Sequence, residues 1–338
     1  MSPSAFFEEA IKVTPQGANR YSAHLRPEWC IGTVPHGGYT AAVIYNLALT
    51  HFAHAHPKQY KTPAAPISLQ LSFLRRTASG PATFEVEDVK IGARTSTIHI
   101  KLLQPSEKKP GTLDTMVAGY ITVSPPDAEV GISAKTGWKP QPAPASGSRA
   151  DGSVDLAALG RTGSDGAWQK IDPPFPEFRK AGTHTELFGP GNGHLLQKQD
   201  GGLSIDQWAR FRPGGDVNGR WSNAAVAYLI DMFPSALDGF DTMSAEAEAR
   251  ENGGSAEGVK AKNWYPTVTL NVDMKKHLPA EGVEWLYSRV VTKVVRDGRT
   301  DLGVTVLDQD GEVVALSTQV GLALSASRNV GTRKYGKL

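Results

Sequence analysis

Two stretches of the chain carry residue types that can do chemistry. In the first, His36, Gly37, Gly38 and Tyr39 follow Pro35 and open an apolar run that reaches Phe52. A helix N-terminus carries unpaired backbone N–H groups and about half a positive charge, so it favours an incoming oxyanion. Glycines at that point let a ligand carbonyl approach the N–H groups closely, and a glycine turn serving only tight packing looks the same. In the second, Asp231 ends the apolar stretch Ala224 to Ile230, nine residues after Ser222. An unpaired charge in such a helix is costly, so Asp231 needs polar partners or a function. Ionised, it can orient or deprotonate an attacking water.

The elements that must position these residues occur twice, about 200 residues apart. In copy one a helix is expected from His36 to about Phe52, followed by a strand from Pro66 to Arg76. In copy two a helix from about Ser222 to Leu237 precedes a strand from Pro266 to Lys276. Alternating strands then follow turns in both: Thr83 to Val89, Ser96 to Leu103 and Met116 to Val123 against Glu284 to Val290, Leu302 to Leu307 and Val313 to Leu324. Helix, then four strands of period two, is an antiparallel α+β plan with one helix layered on one curved sheet. Further strands are expected at His184 to Phe188 and Ser204 to Phe211. A Pro-, Gly- and Ser-rich tract from Ser124 to about Gly166 disfavours packed structure and marks the connection. The expected boundaries are 1–124 for the first domain, 125–175 for the connection and 176–338 for the second domain. The polar insertion Ser244 to Lys262 reads as a surface loop or a lid over a site.

His36, Gly37 and Gly38 opening an apolar helix resemble the hotdog thioesterases, whose simple members carry a carboxylate about nine residues after that histidine. The same interval here reaches Tyr45. Copy two has the reverse arrangement, with Asp231 at the matching interval and no glycines at its helix start. The segments Tyr228 to Asp231, Thr269 to Met274 with His277, and Ala315 to Gln319 are similar to the acyl-CoA thioesterase II family, which joins two hotdog domains in one chain. The resemblance implies two fused hotdog domains, each an antiparallel sheet wrapped around a central helix, and an acyl-CoA or acyl-carrier thioester as substrate. It implies a role in lipid metabolism, and Asp231, Thr269 and Gln319 as the residues that hold the hydrolytic water. Thr267 is the rival for the threonine role, because strict alternation puts it on the same strand face as Thr269. Asn271 shares that face and is expected to contact substrate, as are His36, Gly37, Gly38 and Tyr39 at the oxyanion end. Two other readings of the scaffold are a hydratase or cyclase acting on a thioester or polyketide-like intermediate, and a non-catalytic acyl binder.

Composition narrows the field. The chain has 338 residues, 40% hydrophobic and 21% charged, which suits two soluble domains with their own cores. A formal net charge of +2 with scattered basic residues gives no field for nucleic acid. Cys30 is the sole cysteine, which excludes an internal disulfide and reads as a core residue rather than a nucleophile. No membrane span is expected, and a cytoplasmic location follows. The ending Gly336, Lys337, Leu338 is one residue from a peroxisomal signal. His36, His194 and His277 lack metal-ligand spacing, and neither a metal nor a cofactor is expected. Arg75, Arg76, Lys275 and Lys276 end equivalent strands, as solvated ends or as attractors of CoA phosphates. The glycines from Gly189 to Gly193 lack the lysine of a phosphate loop and read as a turn. Self-association into a homo-oligomer is compatible with the plan.

Overall fold

Inward-facing apolar residues at period two build the strands of copy one. In the computed structural model, which describes residues 5–17, 19–173, 175–191, 197–199, 202–232 and 263–329, they form β1 (Arg20–Leu25), β2 (Ala65–Phe73), β3 (Gly80–Lys90), β4 (Ser96–Pro105) and β5 (Leu113–Ser124). Ala82, Phe84 and Val86 of β3 are buried in alternation, and so are Ile98, Ile100 and Leu102 of β4. Between β1 and β2 runs α1 (Gly37–Ala55), with Ala41 to Tyr45 and Leu47 to Ala48 fully or nearly fully buried. A helix apolar on every side belongs in the middle of a core, and the sheet curls around it.

Copy two repeats this. Its strands are β6 (Thr185–Pro190), β7 (Gly202–Phe211), β8 (Thr267–Met274), β9 (Trp285–Thr292), β10 (Arg299–Leu307) and β11 (Val313–Leu322). Its helix α2 spans Asn223–Leu229, capped by Ser222, whose hydroxyl accepts from the Ala225 N–H at 3.3 Å. The helix expected to reach Leu237 thus ends at Leu229, and residues 233–262, with the insertion Ser244 to Lys262, lie outside the described residues. So do His194, the glycine at 193 and the ending Gly336 to Leu338.

The two copies share one antiparallel sheet. Its main strands run in the order β1-β3-β4-β5-β2-β8-β11-β10-β9-β7-β6. Read outward from the β2–β8 pair, each half repeats the same sequence of elements, so a pseudo-two-fold axis passes between these strands. Thr269 pairs with Ser72, Leu270 with Leu71 and Asn271 with Gln70 across that join. The sequence plan shows two helix-covered sheets, and the structure adds that they are continuous edge to edge. On the inner side α1 and α2 pack against each other, and one apolar core containing Ile44, Leu69, Val226 and Val272 runs through both copies.

The connection departs from its composition. Asp155 caps a short helix, Leu156–Thr162, by accepting from the Ala157 and Ala158 N–H groups at 3.1 Å. Leu159 and Trp168 then pack with Phe188, Trp285, Tyr287 and Leu307 on the outer face of copy two. Beside them the buried Arg289 guanidinium makes a two-pronged pair with Asp206, at 2.7 and 2.8 Å, and donates to the Pro142 carbonyl at 2.6 Å. Proline and glycine disfavour regular elements without preventing a few apolar anchors from docking, and this tract covers a sheet face that solvent would otherwise meet. No helix among the described residues is long and apolar enough to cross a membrane.

Candidate active site

The helix start of copy one and the helix end of copy two meet. Asp231 lies two residues beyond the end of α2 and is 4% exposed. Its Oδ2 accepts the Gly38 N–H at 2.8 Å, and its Oδ1 accepts the Thr267 hydroxyl at 2.8 Å. The carboxylate therefore sits on the positive end of α1, where the backbone N–H groups and the helix dipole favour an anion. His36 completes the contact. Its Nδ1 accepts the Tyr39 N–H at 3.4 Å, which leaves the proton on Nε2, and Nε2 donates to the Asp231 carbonyl at 2.9 Å. The same Nε2 lies 3.5 Å from Oδ2.

Burial opposes charge on both side chains. It pushes the Asp231 carboxyl above the ordinary carboxylate range, against the pull of His36, Thr267 and Gly38. It lowers the His36 imidazole below its usual value, against Asp231. A carboxyl held high yet aimed at donors suits a group that exchanges a proton with an attacking water.

The glycines are there for room, and Asp231 is what fills it. A Cβ on Gly37 would lie 2.5 Å from Asp231 Oδ2, and one on Gly38 would lie 2.4 Å from the Tyr228 carbonyl oxygen and 2.9 Å from Asp231 Cβ. The glycine pattern by itself suits a ligand carbonyl in that space. The structure gives the space to the other copy, with the Gly38 N–H already engaged. Gly37, the first helical residue, lines the adjoining cavity, and its N–H has no protein partner among the described residues.

A bulge decides between the two threonines. Against β11, Thr267 pairs with Gly321 and Thr269 with Val320, so Val268 is an extra residue in β8. The parity of the strand changes there. Leu270, Val272 and Met274 face the core, Asn271 and Asp273 are exposed, and Thr269 shares their outer face, while Thr267 turns inward to Asp231. Thr269 is thus not brought to Asp231. Asn271 is not either, since it donates to Thr318 Oγ1 at 3.4 Å on the outside. Strand β2 slips in the same way between Pro66 and Ser68, so the irregularity belongs to both copies.

Gln319 faces inward and is buried, and its Nε2 donates to the Ile230 carbonyl at 2.8 Å. It thereby holds the residue before Asp231. Tyr39 is fully buried, donates to the Ala10 carbonyl at 2.7 Å and accepts the Arg26 N–H at 3.1 Å, so it fixes the fold rather than meeting substrate.

Asp231, Thr267, His36 and Gly37 border a cavity of about 440 Å³, within the range of small-molecule sites. Its walls are largely apolar, with Phe73, Phe178 and Trp264 among them, and its cations are Arg75, Arg76 and Arg179. Asp231 is the sole acid among the lining residues. Lys275 and Lys276, the matching pair in copy two, do not line it, and Lys276 instead pairs with Asp308 and Glu312. Cys30 is buried, and burial pushes its thiol up to about 12, far from the thiolate a nucleophile needs.

A separate cluster was not legible in the sequence. His51 and His56 at the far end of α1 each place Nε2 on the Asp88 carboxylate, at 2.8 and 2.9 Å, and the three ligand atoms lie within 4.8 Å of one another. Tyr21 engages the other ring nitrogen of His51 at 2.8 Å, which makes a closed hydrogen-bonded network.

Comparison with known proteins fits this geometry. The acyl-CoA thioesterase N-terminal domain matches residues 25–124, and the acyl-CoA thioesterase C-terminal domain matches residues 154–323. The chain belongs to the acyl-CoA thioesterase family. It is 32% identical over 350 aligned positions to the thioesterase-like protein TwmA of Talaromyces wortmannii, covering 98% of this chain and 95% of that protein. Among solved structures it is similar to a thioesterase II from Thermobifida fusca (TM-score 0.64, 19% identity, 94% and 97% of the two chains). It is also similar to a hot dog fold protein from Alicyclobacillus acidocaldarius (TM-score 0.65, 17% identity, 94% and 97%). The acyl-CoA thioesterase II TesB2 of Mycobacterium marinum follows, with TM-score 0.57, 18% identity, and 95% and 99% covered. These folds establish the double hotdog for this member of the family.

Proposed function

We propose that this thioesterase-family protein hydrolyses an acyl-CoA or acyl-carrier thioester at the Asp231 cavity, using water held by Asp231 and Thr267. One observation carries the reading: a buried carboxylate from copy two stands at the glycine helix start of copy one, beside an apolar cavity. In the reaction, water attacks the thioester carbonyl as Asp231 takes its proton, the C–S bond breaks to expel the thiolate, and Asp231 returns that proton to give the free thiol. The thiolate leaves readily, so orientation and preorganised donors supply most of the rate. The Gly37 N–H is the donor available to the carbonyl oxygen. Thr267 orients the carboxylate and the water, and Gln319 acts through Ile230 as a positioning residue. Arg75, Arg76 and Arg179 suit the phosphates of CoA or of a phosphopantetheine arm.

The test is a free-thiol assay over short, long, branched and aromatic acyl-CoAs, with Asp231→Asn alongside. Thiol release that vanishes in the variant supports the reading. Undiminished release by the variant removes Asp231 from the mechanism, and saturable binding of acyl-CoA without turnover makes the protein an acyl binder.

A further inference from the structure

The cavity has a second polar feature, on the side of copy two away from Asp231 in sequence. Gln207 lies midway along β7, on the inner face with Ile205 and Ala209, both core residues. Its side chain lines the cavity, yet the residue is 1% exposed and its Oε1 is buried without a hydrogen-bond partner among the described residues. Directly opposite in register on β9 stands Ser288, fully buried, with an Oγ in the same condition. The neighbouring wall is apolar, formed by Ile171, Leu187 and Met232.

A buried amide oxygen without a partner costs about 1–3 kcal/mol, and native proteins leave few of them. Leucine or methionine would fill the same volume at no such cost. The neighbours of Gln207 on the inner face of the strand, Ile205 and Ala209, are ordinary apolar core. No described residue pairs with this oxygen, and the cavity that Gln207 lines gives access to a group that brings a hydrogen-bond donor.

We infer that Gln207 is a specificity-determining residue, which accepts a hydrogen bond from a hydroxyl or amide N–H carried on the acyl group, with Ser288 beside it. The substrate class is then an acyl thioester bearing such a group along its chain, rather than a plain alkyl chain. This inference rests on the thioester hydrolase reading above. With the thioester at Asp231 and Thr267, the acyl chain extends along the same cavity to Gln207. Apolar walls discriminate weakly between chains, whereas a site built to hydrogen-bond a hydroxyl rejects the analogue that lacks it, because the site's polar atom is left unpaired.

The experiment compares acyl-CoAs of equal length, unsubstituted and hydroxylated at successive positions, with the full chain and its Gln207→Leu and Gln207→Met variants. For at least one hydroxylated isomer, kcat/KM should exceed that of the unsubstituted chain by about tenfold or more. In both variants that ratio should fall toward one. A wild-type ratio near one at every position overturns the inference, as does a ratio that survives both substitutions. Should no thiol be released from any substrate, the hydrolase reading fails by itself. Equilibrium binding of the same matched pairs to wild type and variants then decides for or against Gln207 on the same ratios. Thermal unfolding of the variants identifies a folding defect, and removal of an unpaired amide predicts a melting temperature equal to or above that of the wild type.

Discussion

The Gly38 N–H donates to Asp231 Oδ2 at 2.8 Å, so a backbone group of one copy holds the carboxylate of the other. This contact leaves no space for a side chain, because a Cβ at residue 38 meets the fixed Tyr228 carbonyl at 2.4 Å. Gly38→Ala should therefore cost about 1–3 kcal/mol of stability, the usual range for overpacking a core, and should lower turnover as Asp231 is displaced. Urea denaturation and thiol release measure the two effects, and a variant with unchanged stability would show that the helices separate freely.

Asp231→Asn should lose at least about a hundredfold in kcat, the contribution of a positioned general base. Its stability should move the other way. The folded carboxyl titrates above its unfolded value, so the stability it contributes is complete below the ordinary carboxylate range and is lost as pH rises through the raised folded value. Asparagine has no such loss, so the stability difference should move in favour of the variant as pH rises above the ordinary carboxylate range, by roughly 1.4 kcal/mol for every pH unit that separates the folded from the unfolded titration. The rising limb of the wild-type kcat–pH profile should lie above the ordinary carboxylate range for the same reason. Denaturant midpoints at a series of pH values, and a flat stability difference as the contrary result, decide it.

The bulge in β8 predicts that the two threonines behave differently. Thr267→Val removes the hydroxyl on Asp231 Oδ1 and should reduce kcat about tenfold to a hundredfold, the rate equivalent of roughly 1–3 kcal/mol. Thr269→Val alters the outer face and should leave kcat within about twofold, since surface substitutions change energies by about 0.5 kcal/mol or less. Steady-state kinetics of both variants on one substrate distinguishes inner from outer residue, and equal losses would contradict the parity change.

The pair of Arg289 and Asp206 is buried, with Tyr287 donating to the same carboxylate at 2.6 Å. Asp206→Ala leaves the guanidinium uncompensated and should destabilise the protein by about 3–5 kcal/mol. Calorimetry checks this, and a loss below about 1 kcal/mol would mean that water reaches Arg289.

How much of this was legible in the sequence follows from what local pattern can encode. Alternating residues such as Ala82, Phe84 and Val86 announce a strand, and the repeated order of helix and strands announces the paired architecture. The complementary loss at Tyr45 and retention at Asp231 points to a site built across both halves. The parity of β8 was not legible, because one inserted residue, Val268, changes the facing of Thr267 without altering the apolar alternation from Leu270 onward. The end of α2 was hidden for a similar reason, since the apolar run continues through Ile230 and Met232 while the backbone leaves the helix after Leu229. Gln207 did carry a signal, as a glutamine at an inward position of the alternating run Ile205 to Phe211. Its significance required knowing that the run borders a cavity.

The β2–β8 join gives the chain a property that neither repeat has alone. Had both copies kept glycines and carboxylate, the pseudo-two-fold would generate two reaction centres, and a gene cut into halves would yield subunits each able to rebuild a complete enzyme by self-pairing. With the glycines on one side and Asp231 on the other, self-pairing of either half reproduces an edge but no centre. Only the mixed pair brings Asp231 to the Gly38 N–H. Separately expressed halves should therefore complement one another and not themselves, and the fusion of the two in one polypeptide secures the one pairing that works.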